Sequence, residues 1–454
     1  MISSISPTDG RLLAEYPETS ESDVQHHIER AGALQRAWEQ TSISERAVPM
    51  LRMADLLEAH RDELALVMTD EMGKPISQAQ GEVDKCAWVC RHYAENAERI
   101  LQSEDIEADR SKSYVAYRPL GVVLAVMPWN FPLWQVYRFL APALMAGNGG
   151  LLKHASNVTG SALWIDRLAV EAGFPDGLFR TLVLPSSRVD EALEHPLVVA
   201  ATLTGSDPAG RAVASKAGSL LKKTVLELGG SDPYVVLADA DLEKAAETCA
   251  TSRLINGGQS CIAAKRFIVE EPVVEEFTEL LAAGLAKAVM GDPRDPATTL
   301  GPLARVDLRD ELHDQVERSV ESGARLVIGG EVPDGPGAFY PATLLADVTK
   351  GMAVYHEETF GPVASVIAAK DVDEAIRIAN DTDFGLGGAV FTTDLEKGEA
   401  IARDRIQAGA VFVNAFVASD PRLPFGGIKM SGYGRELSDM GMKEFLNAKT
   451  VVVA

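Results

Sequence analysis

The stretch Val122-Val-Leu-Ala-Val-Met-Pro-Trp-Asn-Phe-Pro132 decides the fold of this chain. Its first five residues are all apolar, as in a strand buried on both faces, and a helical run at 133–146 follows at once. A buried strand that leads into a helix is the repeating unit of a parallel sheet with helices on both faces. The sequence therefore predicts an α/β fold.

Further apolar strands, separated by helix-length segments, extend this alternation along the chain. They form two series, and we place the boundary between the two α/β units near Gly229. The first series continues at 150–153, 181–184, 198–203 and 224–228, and the second comprises 234–237, 266–269, 325–328, 363–367, 388–391 and 410–413.

The region before this alternation reads as mostly helical. Apolar residues recur at three- and four-residue spacing over 23–37, 44–70 and 76–101. Residues 111–118 alternate polar and apolar side chains, which predicts a strand with one wet face. The C-terminal residues 449–454 predict a second strand, which would pair with 111–118 or with another subunit.

Composition excludes several classes of partner. The chain has 454 residues with 43 Lys and Arg against 66 Asp and Glu, a formal charge of -23, which would repel nucleic acids and anionic membranes. The N-terminus lacks a signal-peptide pattern, and no run of about 18 apolar residues occurs. Four cysteines are too few for a disulfide framework, so we expect a cytoplasmic protein. Cys86 and Cys90 read as core packing, since no further metal ligand stands at suitable spacing.

The stretch Asn256-Gly-Gly-Gln-Ser-Cys261 predicts a reactive thiol. Small residues leave the sulfur accessible, and the amide-bearing residues and backbone N–H groups can stabilise a thiolate or an oxyanion. The alternative is a structural cysteine beside a turn.

Two further residues suit such a nucleophile. Asn130 lies between two prolines after a strand, so its amide would be a rigid donor for an oxyanion; the alternative is an asparagine that caps its own turn. Glu227 stands between two leucines, and an apolar setting raises a carboxyl pKa toward the range of a general base. The alternative there is a glutamate on a wet strand face.

Other segments suggest a phosphate-bearing ligand. Lys153 ends a buried strand, and Gly205-Ser206 opens a helix whose N-terminus could bind phosphate, although the usual Gly-x-Gly-x-x-Gly fingerprint is absent. Segments 356–362 and 424–432 contain turns that could approach a ligand closely. A solvated lysine, a capped helix and plain turns are the alternatives.

Five motifs, in this order, make the chain resemble the aldehyde dehydrogenase superfamily over essentially its whole length. They are Pro128-Trp-Asn-Phe-Pro132, Gly205-Ser206 to Gly210, Glu227-Leu-Gly-Gly230, Gly258-Gln-Ser-Cys261 and Glu358-Thr-Phe-Gly-Pro362. The resemblance implies a cofactor-binding domain at 1–110 and 119–228 and a catalytic domain at 229–432. It also implies a β oligomerisation arm at 111–118 and 433–454, and hence a homo-oligomer.

The resemblance implies a role for each catalytic residue. Cys261 would attack an aldehyde to give a thiohemiacetal, while the side chain of Asn130 and the backbone N–H of Cys261 hold the oxyanion. After hydride transfer, Glu227 would activate the water that hydrolyses the thioester. No metal is implied.

The cofactor would be NAD or NADP. The resemblance implies that Lys153 meets the adenine ribose, that Glu358 meets the nicotinamide ribose and that Phe360 packs beside it. NAD-restricted members often carry a glutamate at position 156; the serine found here would admit the 2′-phosphate of NADP. The remaining expected contacts are Trp129, Gly205 and Ser206.

The sequence around Arg138 is most similar to bacterial members that oxidise succinate semialdehyde, in which an arginine meets the far carboxylate. Trp134 and Phe425 would complete the substrate site. Some members carry a second arginine where Ile255 stands, for which Arg253 or Arg422 could compensate. The alternatives are another short or ω-carboxy aldehyde such as glutarate semialdehyde, a cofactor-independent cysteine esterase, or an inactive scaffold.

Overall fold

Helices dominate the first hundred residues of the computed structural model, which describes residues 1–454. The helices are α1 Glu21–Trp38, α2 Ile43–Ala59, α3 Arg61–Met72, α4 Ile76–Ile100, α5 Trp134–Met145, α6 Thr159–Ala172, α7 Val189–Leu193, α8 Asp207–Ser219, α9 Leu242–Leu254, α10 Val274–Leu285, α11 Val306–Glu321, α12 Ala353–His356, α13 Val372–Asn380, α14 Leu395–Asp404 and α15 Ser438–Lys443.

The predicted helix at 44–70 is wrong in one respect, because it is two helices. The backbone leaves helical geometry at His60, with φ −102° and ψ 21°, and α3 restarts at Arg61. Both α2 and α3 pack against α4. The break therefore follows from tertiary packing, and neither Gly nor Pro marks it in the sequence.

Eighteen strands complete the fold. They are β1 Ile2–Ile5, β2 Leu12–Tyr16, β3 Glu104–Asp105, β4 Lys112–Pro119, β5 Val122–Met127, β6 Gly149–His154, β7 Phe179–Thr181, β8 Val198–Thr204, β9 Lys223–Glu227, β10 Pro233–Val236, β11 Arg266–Glu270, β12 Arg325–Ile328, β13 Thr343–Ala346, β14 Val363–Ala369, β15 Gly387–Phe391, β16 Ala410–Val413, β17 Gly432–Tyr433 and β18 Leu446–Val453.

The strands form two large sheets, which confirms the α/β fold. One has the order β17-β9-β8-β5-β6-β7, and the other has the order β12-β13-β14-β11-β10-β15-β16. All neighbours are parallel except β17 with β9 and β12 with β13, so each sheet carries one antiparallel edge strand. Strand β13 and the β1–β2 hairpin were not predicted, and β7 ends at Thr181, where the expected strand began.

The six-stranded sheet brings the predicted polar residues to one edge. Its central strand β5 pairs in parallel with β6 and β8, and β8 pairs in parallel with β9. Lys153 and Glu227 lie at the carboxyl ends of β6 and β9, while Asn130 and Gly205 follow β5 and β8. Ligands of open α/β sheets bind at this edge.

The C-terminal strand β18 pairs with β4 along its full length, from Leu446 opposite Pro119 to Val453 opposite Lys112. This pairing within the chain is one of the two partners that the sequence predicts. Cys86 and Cys90 of α4 are completely buried in the largest core cluster. No helix combines the length and the apolar character needed to cross a bilayer.

Candidate active site

A loop of left-handed backbone precedes Cys261. Asn256, Gly257 and Gly258 have φ of 54°, 61° and 75°, a conformation that glycine and asparagine adopt most readily. A Cβ on Gly258 would lie 2.1 Å from the carbonyl oxygen of Gly361. The two glycines and the asparagine are therefore required by the course of the loop, which ends with Cys261 partly exposed.

Asn130 is hydrogen-bonded to this loop. Its Nδ2 donates to the Gln259 carbonyl at 3.1 Å, and the Nδ2 of Asn256 donates to the carbonyls of Asn130 and Gln259 at 2.7 and 3.1 Å. The buried Asn130 amide thus uses one N–H to join the two segments and keeps its second N–H free of protein partners. These hydrogen bonds hold the Asn130 amide in a fixed position, and its role as an oxyanion donor stays a prediction.

Four of the predicted residues line one cavity of about 330 Å³. Its walls come from α4, α5, the loop around Cys261 and segment 416–425. The cavity contains Cys261, Arg138, Trp134 and Phe425. Cys261 and the expected substrate contacts therefore share a single space, which Asn130 does not line.

The thiol of Cys261 is protonated at neutral pH. Burial raises its pKa to about 12, although the positive charges of Arg138 and Lys265 oppose the shift. Lys265 Nζ donates to the Cys261 carbonyl at 2.8 Å, and its own pKa is lowered by burial. The thiol consequently needs a base, or a ligand-induced change of environment, before it can attack.

Glu227 is a buried carboxyl group at the end of β9. Neither of its side-chain oxygens has a hydrogen-bond partner, and burial with the nearby Glu436 raises its pKa well above the usual range. Arg138 opposes this shift, as it does for Cys261, so its charge acts on both groups. Glu227 does not line the cavity; its backbone carbonyl accepts the Gly205 N–H at 3.0 Å.

Arg138 is almost completely buried and already has an acidic partner. It forms an ion pair with Glu436, and its Nη2 donates to Thr204 Oγ1 at 3.1 Å. Its guanidinium carbon lies 4.7 Å from the centre of the Phe425 ring. Glu436 was missed by the sequence analysis, because no motif marks it and a loop brings it beside Phe425.

Glu358 and Phe360 lie near the Gly229–Gly230 turn, which connects β9 of one large sheet to β10 of the other. Glu358 accepts the Gly230 N–H at 2.9 Å and lies 3.4 Å from Lys265 Nζ. The Phe360 and Trp129 rings pack edge to face, with their centroids 5.7 Å apart. These contacts join the Glu358 segment to Trp129 and to the Gly229–Gly230 turn.

The residues expected to bind the cofactor fit an anionic nucleotide. The side-chain amine of Lys153 makes no hydrogen bond or ion pair within the protein, and burial lowers its pKa. Ser206 precedes α8 without capping it, so its hydroxyl and the helix N-terminus are free for a ligand. Ser156 begins a one-turn helix near Lys153, with no carboxylate at that position to repel a phosphate.

Neither proposed substitute for the second arginine reaches the cavity. Arg253 is buried and donates to the Gly258 carbonyl, whereas Arg422 pairs with Asp420 on the surface. Lys85 and Ser419 do line the cavity, although no sequence motif marks either residue. The available signal was the helical spacing of Gln78, Glu82 and Lys85, which places them on one face of α4.

Comparison with known proteins agrees with this geometry. The model of the aldehyde dehydrogenase family matches residues 1–451. The chain is 50% identical to a succinate-semialdehyde dehydrogenase [NADP(+)] of Mycobacterium avium, covering 99% of this chain and 96% of the relative. It is 49% identical to a probable enzyme of the same name from Synechocystis, with full coverage of both chains.

Solved structures agree as well. A succinic semialdehyde dehydrogenase from Streptococcus pyogenes in complex with NADP+ superimposes with a TM-score of 0.98 at 39% identity, covering 100% of both chains. An NAD-dependent aldehyde dehydrogenase from Sinorhizobium meliloti gives a TM-score of 0.96 at 36% identity, covering 100% of this chain and 91% of the other. The chain therefore belongs to the aldehyde dehydrogenase family.

Proposed function

We propose that this aldehyde dehydrogenase oxidises succinate semialdehyde to succinate, with NADP preferred over NAD. The observation that carries the proposal is the cavity that Cys261 and Arg138 share, since it places a nucleophile and a cation around one small aldehyde. The names of the relatives from Mycobacterium avium and Synechocystis support the same substrate and cofactor.

Cys261 performs the first chemical step. Its sulfur bonds to the aldehyde carbon as the thiol proton passes to solvent water, either directly or through Glu227, and the carbonyl oxygen becomes an oxyanion. The free N–H of Asn130 and the backbone N–H of Cys261 stabilise that charge. Removing one such donor typically lowers the rate by about 100- to 1,000-fold.

A bound nicotinamide would accept the hydride from the substrate carbon, and loss of that hydride leaves a thioester on Cys261. Lys153, Gly205 and Ser206 would hold the adenosine and pyrophosphate end of the cofactor, where a free cation and a helix N-terminus suit phosphate. Trp129, Glu358 and Phe360 would position the nicotinamide end.

Glu227 completes the reaction. It takes a proton from water as the hydroxyl attacks the thioester carbon, and the carbon–sulfur bond breaks to release the acid. The proton then passes from Glu227 to the departing sulfur, which restores the Cys261 thiol. A carboxyl group with a raised pKa and no protein partner is suited to exchange protons in this way.

Succinate semialdehyde should be oxidised with a kcat/KM about 10- to 100-fold above that of butanal, which has the same chain length but no carboxylate. Absorbance of the reduced cofactor measures both, with glutarate semialdehyde as a longer acid control. Equal values for the acid and neutral aldehydes would contradict carboxylate recognition. No reduction with any aldehyde would contradict the reaction class.

Replacing Ser156 with glutamate should reverse the cofactor preference. The carboxylate would repel the 2′-phosphate, so kcat/KM for NADP should fall by about 100-fold while that for NAD stays within a few-fold. Ser156→Ala is the matched control, since it removes the hydroxyl without adding charge. An equal loss with both cofactors would show that residue 156 does not face the 2′-position.

The remaining features of the proposal concern the whole protein. Residues 1–110 and 119–228 form the cofactor-binding domain, residues 229–432 form the catalytic domain, and 111–118 with 433–454 form an oligomerisation arm. The exposed valines at the end of β18 suit an interface in a homo-oligomer. Four free cysteines are consistent with a cytoplasmic location.

A further inference from the structure

The cavity contains one cation that no acid neutralises. Lys74 forms a buried ion pair with Glu82, and Arg138 forms one with Glu436. Lys85 lines the same cavity. Its ammonium group donates one hydrogen bond, to Ser419 Oγ at 2.8 Å, and takes part in no ion pair.

The surroundings of Lys85 leave it available to a ligand. Its ammonium lies over the Trp134 ring at 4.3 Å, which orients the side chain into the cavity. Glu82 is the nearest acid on the same helix face, but its oxygens are already used by Lys74 and by the N–H groups of Leu133 and Trp134. A half-buried cation without an anionic partner is stabilised best by an anionic ligand, because the ligand offsets the cost of removing its charge from water.

We propose that Lys85, with the hydroxyl of Ser419, binds the carboxylate of the substrate and thereby sets the specificity for an acid aldehyde. This proposal deepens the proposed function by naming a further specificity-determining site. Arg138 lies at the same cavity and contributes its field, but Glu436 already offsets its charge. Ile255 makes the cavity wall apolar at the position where some family members carry a second arginine. Lys85 of α4 supplies the second cation instead.

The protonation state of Lys85 is consistent with this role. Burial, followed by the charge of Arg138, lowers its pKa to about 8, while Glu82, Cys86 and Asp420 oppose the shift. The ammonium form still dominates at neutral pH. A carboxylate bound beside it would favour that form further.

Lys85→Met tests the proposal, because methionine keeps an apolar stem against Trp134 and removes the charge. We expect kcat/KM for succinate semialdehyde to fall by about 10- to 100-fold, mainly through KM, while kcat/KM for butanal changes less than about threefold. Lys85→Arg should keep most of the preference, because it retains the charge. Lys244→Met, which removes an 83% exposed lysine, is the matched control for loss of one charge.

Inhibition of butanal oxidation by succinate provides a readout that does not depend on the preferred aldehyde. The inhibition constant for succinate should rise in Lys85→Met by the same factor as KM for the acid aldehyde. A wild-type enzyme that ignores succinate semialdehyde but is inhibited by succinate would contradict the proposed function and leave the carboxylate site standing. Equal losses with both aldehydes, or no change with either, would overturn the role of Lys85.

Discussion

Replacing Cys261 with alanine should abolish aldehyde oxidation, lowering kcat/KM by about 10⁴-fold or more. Without the sulfur no thiohemiacetal can form, and no other thiol lies in the cavity. The fold should tolerate the change, because Lys265 donates to the backbone carbonyl of Cys261 and not to its side chain. Steady-state reduction of NADP with succinate semialdehyde measures the effect.

Cys249→Ala is the matched control for this variant. Cys249 is a free thiol that is completely buried in α9 and does not line the cavity, so it cannot reach the aldehyde. Its replacement should lower the free energy of unfolding by about 1 kcal/mol and leave kcat/KM within a few-fold. Cofactor reduction by Cys261→Ala at more than about one tenth of the wild-type rate would contradict covalent catalysis.

The positions of Asn130 and Glu227, the proposed catalytic groups, follow from strand patterns in the sequence. Short apolar runs before Asn130 and through Glu227 predict buried parallel strands, whose carboxyl ends meet at one sheet edge. The sequence analysis predicts an open loop of small residues before Cys261, whereas its left-handed backbone was not predicted, although Asn256-Gly-Gly is typical of that conformation. Local sequence therefore sufficed where a residue type at a strand end decides the geometry.

Lys85 and Glu436 could not be predicted in the same way. The spacing that places Lys85 on one face of α4 is also that of an ordinary solvated helix face, and only the packing of α5 and segment 416–425 encloses it. Glu436 reaches Arg138 from a position 298 residues further along the chain, through a loop bridge to Phe425. Such contacts depend on tertiary packing rather than on local pattern.

Replacing Glu227 with glutamine should separate the two halves of the reaction. Glutamine keeps the shape of the buried side chain, but it cannot take a proton from water, so kcat should fall by about 100- to 10,000-fold. The step before hydrolysis does not require an activated water, so loss of the Glu227 carboxylate should spare it if another group takes the thiol proton. Rapid mixing should therefore show a burst of about one reduced cofactor per active site, followed by a slow steady state.

The pH dependence of kcat gives this prediction a second readout. Burial and Glu436 raise the pKa of Glu227. Because the basic form becomes more abundant as pH rises through this raised pKa, kcat of the wild type should increase over the same pH range. Glu227→Gln should lose this limb. Glu71→Gln is the control, since Glu71 is also buried with a raised pKa but binds the N-terminus of α6, away from the cavity.

The burst also decides which proton Glu227 moves. Because burial raises the pKa of Cys261 to about 12, the thiol itself requires a base, and Glu227 is a buried carboxyl group influenced by the same Arg138 charge. If Glu227→Gln loses the burst together with the steady state, then Glu227 acts on the thiol before it acts on water. A retained burst assigns it to hydrolysis alone. An unchanged kcat would contradict both roles, because Glu436, the other buried carboxyl group near Arg138 whose oxygens accept no hydrogen bond, is already ion-paired with that arginine.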